Sequence, residues 1–376
     1  MKKRLFLIIA IALLIAFYIG VNLAEILPTH PLGMMAISFF IVFLFIGWQW
    51  SYRSSSFSQG RWSLFIAWSA NIGIGVWATF LFFAAIKDAV ILALPQRFLP
   101  LVPWPGVILG LLAISALLAV IGGWQALAGP FIRYVSVPVK GLSKSLEGLK
   151  ILQISDLHVG PTIRRTYVEK TVDRALSLNP DIIVLTGDIF DGVFDVLASH
   201  LEPLRRLHAP LGIFYVTGNH EYFWGARMWM EKAAVYGMTP LNNENRVLVF
   251  KGEKFLIAGI PDEMSRFFEK ENIPDCAKAA RTQEGEMFKI LLAHRPGVYA
   301  EAAAAGFNLQ LSGHTHGGQF FPWSLVIRFF HRFYRGLNRY NKLWIYVSPG
   351  TGYWGPAQRF AVPAELTLLT LGLGTK

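Results

Sequence analysis

The chain has 376 residues, 53% of them hydrophobic and 16% charged, with a formal net charge of +11. That length accommodates about two domains, and so apolar a composition excludes a disordered polyelectrolyte. The single cysteine, Cys276, excludes an internal disulfide framework, while the positive balance favours an anionic partner without choosing between a phosphorylated ligand, nucleic acid and an acidic lipid surface.

In chain order, Lys2, Lys3 and Arg4 precede four apolar stretches, Leu5–Leu23, Leu32–Trp50, Leu64–Ile86 and Val107–Leu127. Each is near the ~20 residues that cross a bilayer as a helix. No small-x-small cleavage site follows the first stretch, so it reads as a span rather than a signal peptide. Four crossings put both ends on one side. The basic groups Lys2–Arg4, Arg53 with Arg61, and Arg133 with Lys140 and Lys144 then all fall on that side, which the positive-inside rule makes cytoplasmic. Trp48, Trp50, Trp104 and Trp124 sit near the span ends, where indoles favour the headgroup layer. Residues 131–148, punctuated by Pro138, Gly141 and Gly148, read as a linker between a membrane region, 1–130, and a water-facing domain, 149–376.

From Leu149 onward the apolar runs Leu149–Ser155, Asp181–Thr186, Gly212–Thr217, Lys254–Ile260, Phe288–Ala293, Asn308–Ser312 and Leu343–Ser348 predict strands. Helical patterns cover Arg165–Ser177 and Val193–Leu207, and the Lys251-Gly252 turn between Arg246–Phe250 and Lys254–Ile260 predicts a hairpin in a partly antiparallel sheet. Several strands run directly into polar clusters: Asp156-x-His158, Gly187-Asp188-x-x-Asp191, Gly218-Asn219-His220-Glu221, Ala293-His294 and Gly313-His314-Thr315-His316. Ligands of α/β sheets bind outside the carboxyl ends of strands, so these loops are expected to converge on one edge. Singly, each cluster is as well explained by a turn, a helix cap or a structural histidine. Together they offer carboxylate, imidazole and amide donors with no thiolate, a set suited to Mn, Fe, Zn or Co.

With these five motifs in this order, the sequence resembles the calcineurin-like metallophosphoesterase superfamily, over roughly Leu149 to Leu371. It is similar in particular to the bacterial membrane-anchored branch, down to Gly313–Gln319 (GHTHGGQ) and Ser348–Gly355 (SPGTGYWG). The resemblance implies an α/β fold, a four-layer α/β/β/α sandwich, here preceded by a bundle of four transmembrane helices. It also implies two divalent metal ions, one held by Asp156, His158 and His316 and the other by Asn219, His294 and His314, with Asp188 bridging them. Hydrolysis of a phosphoester or pyrophosphate bond by metal-activated hydroxide follows, with His220 protonating the leaving oxygen.

Four further residues keep two readings each. Glu221 either orients His220 or caps the following helix, and Asp191 either belongs to the site or hydrogen-bonds within its own loop. Arg295 either meets a substrate phosphate or lies on the surface. Arg328 and Arg332 belong to Phe320–Lys342, a segment rich in aromatics and bases and free of acids, which reads either as a membrane- or substrate-facing flap or as a packed amphipathic element. The expected partners are membrane lipid and a phosphorylated lipid or lipid-linked nucleotide, with no specific protein partner. The expected setting is a bacterial cytoplasmic membrane, with the catalytic domain in the cytoplasm. A phosphodiesterase for soluble nucleotides or nucleic acid and a non-catalytic membrane sensor or scaffold are the alternatives.

Overall fold

The computed structural model describes residues 2–24 and 60–374. They fall into two units, 1–124 with 355–360, and 125–354 with 361–376.

The first unit contains the helices Lys2–Ala24, Arg61–Ala93 and Trp104–Leu127. Ala16, Ile19, Phe80, Ala84 and Ile108 form a shared buried core. Among the described residues, Arg61–Ala93 and Trp104–Leu127 are the helices long and apolar enough to cross a membrane. The first expected span falls within Lys2–Ala24, whereas the second, Leu32–Trp50, lies outside the described residues, as do Trp48 and Arg53. The described residues therefore account for two such spans. Lys87 and Asp88, just past the expected span Leu64–Ile86, lie inside the 33-residue Arg61–Ala93 helix. There they pair at 3.1 Å, and the Tyr18 hydroxyl donates to Asp88. Mutual pairing lets these charged groups continue the helix past its apolar stretch. Residues 355–360 belong with this unit through Arg359, whose amide donates to the Gly122 carbonyl at 2.8 Å.

The second unit is built on two six-stranded sheets. The first runs β1-β12-β2-β3-β4-β5, from Phe131–Val139 (β1), Lys150–Ile154 (β2), Ile182–Thr186 (β3), Ile213–Val216 (β4), Thr239–Pro240 (β5) and Glu365–Leu373 (β12). The second runs β10-β11-β9-β8-β7-β6, from Glu244–Phe250 (β6), Glu253–Gly259 (β7), Phe288–Leu292 (β8), Leu309–Ser312 (β9), Gly336–Tyr340 (β10) and Leu343–Val347 (β11). Strands β2 to β5 are mutually parallel, as are β7, β8, β9 and β11, while β6 and β10 add antiparallel edges.

One buried cluster joins the sheets, taking Ile151, Ile182, Val184 and Phe214 from the first and Ile257, Ile290, Leu292 and Leu311 from the second. The alternate residues Leu152, Ile154, Ile183 and Leu185 are equally buried on the first sheet's other face. Arg165–Ser177 supplies a complementary stripe there, burying Tyr167, Val168, Thr171, Val172 and Ala175 at helical spacing. Behind the second sheet, Cys276, Ala279 and Ala302 from two short helices pack on Leu256, Ala258 and Leu291. The result is mixed α/β, with helices outside two packed sheets.

Residues 131–148 are not a linker. Phe131–Val139 pairs in parallel with β12 along its whole length, and it lies at the sheet edge, where Pro138 is tolerated despite lacking an N–H. Val193–Leu207 is not one helix either: α-helix ends at Leu201 and a tighter turn follows through Arg206, because Pro203 supplies no N–H to the helical ladder. The second half of the basic aromatic segment forms β10, a hairpin partner of β11.

Candidate metal centre

The carboxyl ends of β2, β3, β4, β8 and β9 deliver the polar clusters, and the backbone there is unusual. Asp156, His158, Asp188, His314 and His316 all have positive φ, between 50° and 71°. Non-glycine residues seldom adopt this conformation, and its concentration at one place marks a site that the surrounding fold holds under strain. Glycines make room for it. A Cβ at Gly313 would stand 2.0 Å from Ser155 Oγ and 2.1 Å from Asp156 Oδ2, and one at Gly218 would stand 2.2 Å from Asp188 Oδ1.

Two groups of donors result. Asp156, His158 and His316 bring one ligand atom each within 4.8 Å of one another, as do Asp188, His294 and His314. In the first group the Nε2 atoms of His158 and His316 face each other at 3.1 Å, and Asp156 Oδ1 lies 3.4 Å from His316 Nε2. In the second, His294 Nε2 is 3.1 Å from Asp188 Oδ2 and 3.3 Å from Asn219 Oδ1. Asp188 Oδ2 also lies 3.9 Å from His158 Nε2, so one oxygen faces both groups. Its other oxygen is fixed by the His220 amide at 2.8 Å. Buried lone-pair donors aimed at one another are poorly satisfied by protons alone. A divalent cation would satisfy such a group, and the all-N,O donor set fits that charge and hardness.

Neighbouring groups fix the ring orientations. His294 Nδ1 lies 2.8 Å from the Thr186 carbonyl, which selects the tautomer with Nε2 free for the site. Ser155 Oγ donates to Asp156 Oδ2 at 2.6 Å, and the His314 amide donates to both Asp156 oxygens. Asp191 does more than close its own loop: its Oδ1 accepts from His220 Nδ1 and Trp224 Nε1, both at 3.0 Å, and its Oδ2 lies 3.4 Å from His158 Nδ1. His158, Asp191 and His220 are also close enough to hold a cation, but a carboxylate bonded to an imidazole N–H and an indole N–H is already satisfied as an acceptor. Glu221 caps the helix that carries His220. Its buried carboxylate accepts the amides of Gly218, Asp188, Ile189 and Phe190, tying the Asn219 loop to the Asp188 loop.

The electrostatics follow from these contacts. Burial disfavours a charged His220, but Asp191 and Asp188 outweigh it and raise its pKa to about 9. Burial likewise opposes charge on His294, yet Asp188 and Asp156 raise it to about 10. Burial pushes Asp188 and Asp191 upward, and the surrounding imidazoles overcome it, so both are depressed. Asp156 moves the other way, raised by its burial and by Asp188. His314 is lowered by burial and by the charges of His294 and Arg295.

Residues 149–318 match the family described as calcineurin-like phosphoesterase. An uncharacterized metallophosphoesterase of Aquifex aeolicus is 31% identical over 67% of this chain and 96% of its own length. One from Campylobacter jejuni is 31% identical over 70% of this chain and 69% of its own. The chain belongs to the calcineurin-like phosphoesterase family. A "transmembrane protein with metallophosphoesterase domain" from Danio rerio is 36% identical over 69% of this chain. The match spans only 61% of that relative's length.

For this family member, the structure brings the seven expected ligands and His220 into one cluster, with Asp191 and Glu221 directly behind them. Arg295 is held by Asp262, with Nε 2.9 Å from Oδ2. Arg328 turns back on its own helix, donating to the Leu325 carbonyl and lying over Phe329. Arg332 lies over the rings of Tyr299, Phe333 and Tyr340. Sequence reading missed Trp354 and Gln319. Trp354 stands edge-on to His220, with centroids 5.6 Å apart, and the Gln319 side chain bonds both its amide and its carbonyl. Their signal was present in GHTHGGQ and SPGTGYWG, but only the fold pairs those two loops.

Proposed function

We propose that this chain is a membrane-associated, dinuclear-metal phosphoesterase acting on a phosphorylated lipid or lipid-linked nucleotide. The observation that carries the reading is Asp188 Oδ2, which faces both donor groups and lies 4.0 Å from the Nε2 of His220. One metal ion would be held by Asp156, His158 and His316, the other by Asn219, His294 and His314, with Asp188 shared. When bound, such a pair supplies charge neutralisation at the phosphoryl oxygens and lowers the pKa of the attacking water.

The chain's own residues do the rest. Asp191 holds His220 by Nδ1, keeping the imidazolium charged and its Nε2 turned toward Asp188. As the new phosphorus–oxygen bond forms from water and the bond to the leaving group breaks, His220 Nε2 gives its proton to the departing oxygen. Phe223 and Trp354 flank that imidazole edge-on and limit water on the leaving-group side.

Exposed aromatic residues support an amphiphilic substrate. Trp323, Phe329 and Phe330 are exposed in the basic segment, and Phe223, Phe267 and Phe268 are exposed on the His220 side. Such side chains favour a headgroup boundary or an acyl chain over bulk water. The two long apolar helices and the transmembrane relatives support attachment to a membrane, and the basic residues beside the spans support a cytoplasmic catalytic domain.

The test is turnover by purified, metal-loaded protein against phospholipids, lipid-linked nucleotides and cyclic nucleotides. His220→Ala is expected to lower kcat by roughly 10²–10⁴-fold while metal content, measured by elemental analysis, stays at the wild-type level. Equal activity removes His220 from the mechanism. Turnover of cyclic nucleotides alone replaces the lipid reading with the soluble-nucleotide one, and Asp188→Ala with full activity would sink the shared-metal site.

A further inference from the structure

The basic aromatic segment reaches the candidate centre through a histidine, not through its arginines. His331 stands edge-on to His314, with ring centroids 5.9 Å apart at 81°. Arg295 follows His294 directly in the loop after β8, so it approaches from the same side of the centre. Its orientation is fixed. Asp262, in the loop after β7 and 2% exposed, takes the Arg295 Nε on Oδ2 at 2.9 Å and the Met264 amide on Oδ1 at 2.9 Å. Among the described residues, the two terminal amino groups of Arg295 have no protein partner.

We propose that Arg295 and His331 form a second anion subsite beside His314, which takes the non-reacting phosphoryl group of a diphosphate substrate. The proposal rests on the phosphoesterase reading above and narrows it to scission of a pyrophosphate bond.

Three physical points carry it. A guanidinium held by one edge presents its remaining N–H groups as a fixed planar donor set, which suits paired phosphoryl oxygens and loses little side-chain freedom on binding. Buried Asp156 and Asp188 already place negative charge among the metal-ligand candidates, and two divalent ions would be partly occupied in balancing it. A substrate carrying a second phosphoryl group therefore needs cationic or N–H donors beyond the metal ligands, and Arg295 and His331 are placed next to His314 to provide them. Finally, the four arginines of the segment are engaged elsewhere: Arg332 over three rings, Arg328 on Leu325 and Phe329, Arg335 over Tyr334, and Arg339 on the Asn341 carbonyl and Trp344.

The experiment uses the full chain in detergent with excess Mn²⁺, hydrolysing bis(4-nitrophenyl) phosphate. Orthophosphate and methylenebisphosphonate, a non-hydrolysable diphosphate, serve as competing inhibitors. For Arg295→Lys and His331→Gln, the inhibition constant of the bisphosphonate is expected to rise by about tenfold more than that of orthophosphate, the size of one lost charge-assisted hydrogen bond. A merely structural role for the Arg295–Asp262 pair moves both constants by the same factor. That result, or no change in either, overturns the subsite. If Arg295→Lys does not fold, as read from its melting temperature, His331→Gln decides alone, since among the described residues its half-buried ring makes no hydrogen bond that the fold would lose. Absence of turnover in the wild type overturns the parent phosphoesterase reading before any variant is compared, so the two failures are distinguishable.

Discussion

At the scale of single residues, the pairing of Asp191 with His220 has the clearest chemical consequence. The carboxylate is depressed and the imidazole raised to about 9, so the two are oppositely charged across the neutral range. A general acid loses activity as pH rises through its pKa. Asp191→Asn removes the charge that most raises His220, so the alkaline limb of the kcat/KM profile is expected to move to lower pH. The maximum is expected to fall by about 10–100-fold, the usual effect of losing an orienting partner. A pH–rate profile checks both, and an unmoved alkaline limb rules out Asp191 as the group that tunes His220.

At the scale of elements, strand ends and the tight loops after them decide the site. The loop after β9 must bring its backbone against the loop after β2, and Gly313 permits this because a Cβ there would stand 2.0 Å from Ser155 Oγ. Ordinary carbon contacts lie near 3.5–4.0 Å. Gly313→Ala therefore has to displace either Asp156 or the His314–His316 loop. The variant is expected to lose most of its bound metal while far-UV circular dichroism stays close to wild type, because both sheets lie outside the loop. Full metal content by elemental analysis would show that the loop can yield without moving its ligands. Glu221 acts on the same level by tying the loops after β3 and β4 together through four amides, which explains a fully buried carboxylate beside a carboxylate-rich centre.

At the scale of the whole molecule, two sheets packed face to face bring the candidate ligands together from both halves of the second unit, and metal binding there is expected to be coupled to protonation. Without metal, His294 is raised to about 10 by the surrounding carboxylates and is charged at neutral pH. An imidazole must be neutral to ligate, so uptake of metal at pH 7 is expected to release about one proton from this residue. Apparent affinity is accordingly expected to rise with pH across pH 6–9. Calorimetric titration in two buffers of different ionisation enthalpy measures the proton count, and identical heats in both would show that His294 is already neutral. The same sign governs the metal-free protein. The stability that His294 gains from its carboxylate neighbours is complete below its unfolded pKa and is lost as pH rises through about 10.

The sequence by itself determined the identities and order of the candidate metal-site residues, because Asp-x-His, Asn-His and His-x-His are local patterns placed by the apolar runs before them. It also determined the hairpin at Lys251-Gly252 and the amphipathic helix Arg165–Ser177, whose signals lie within a few residues. Only the tertiary structure decided the partners. Asp191 meets His220 across 29 positions, Asp262 meets Arg295 across 33, and His331 arrives beside His314 from a segment whose aromatics and bases suggested a membrane or substrate contact. The former linker became a strand for the same reason: β1 has its partner in β12, at the far end of the chain. Contacts of this kind become favourable only after loop closure and sheet packing have fixed both sides, and local sequence carries no record of which distant residue will be there.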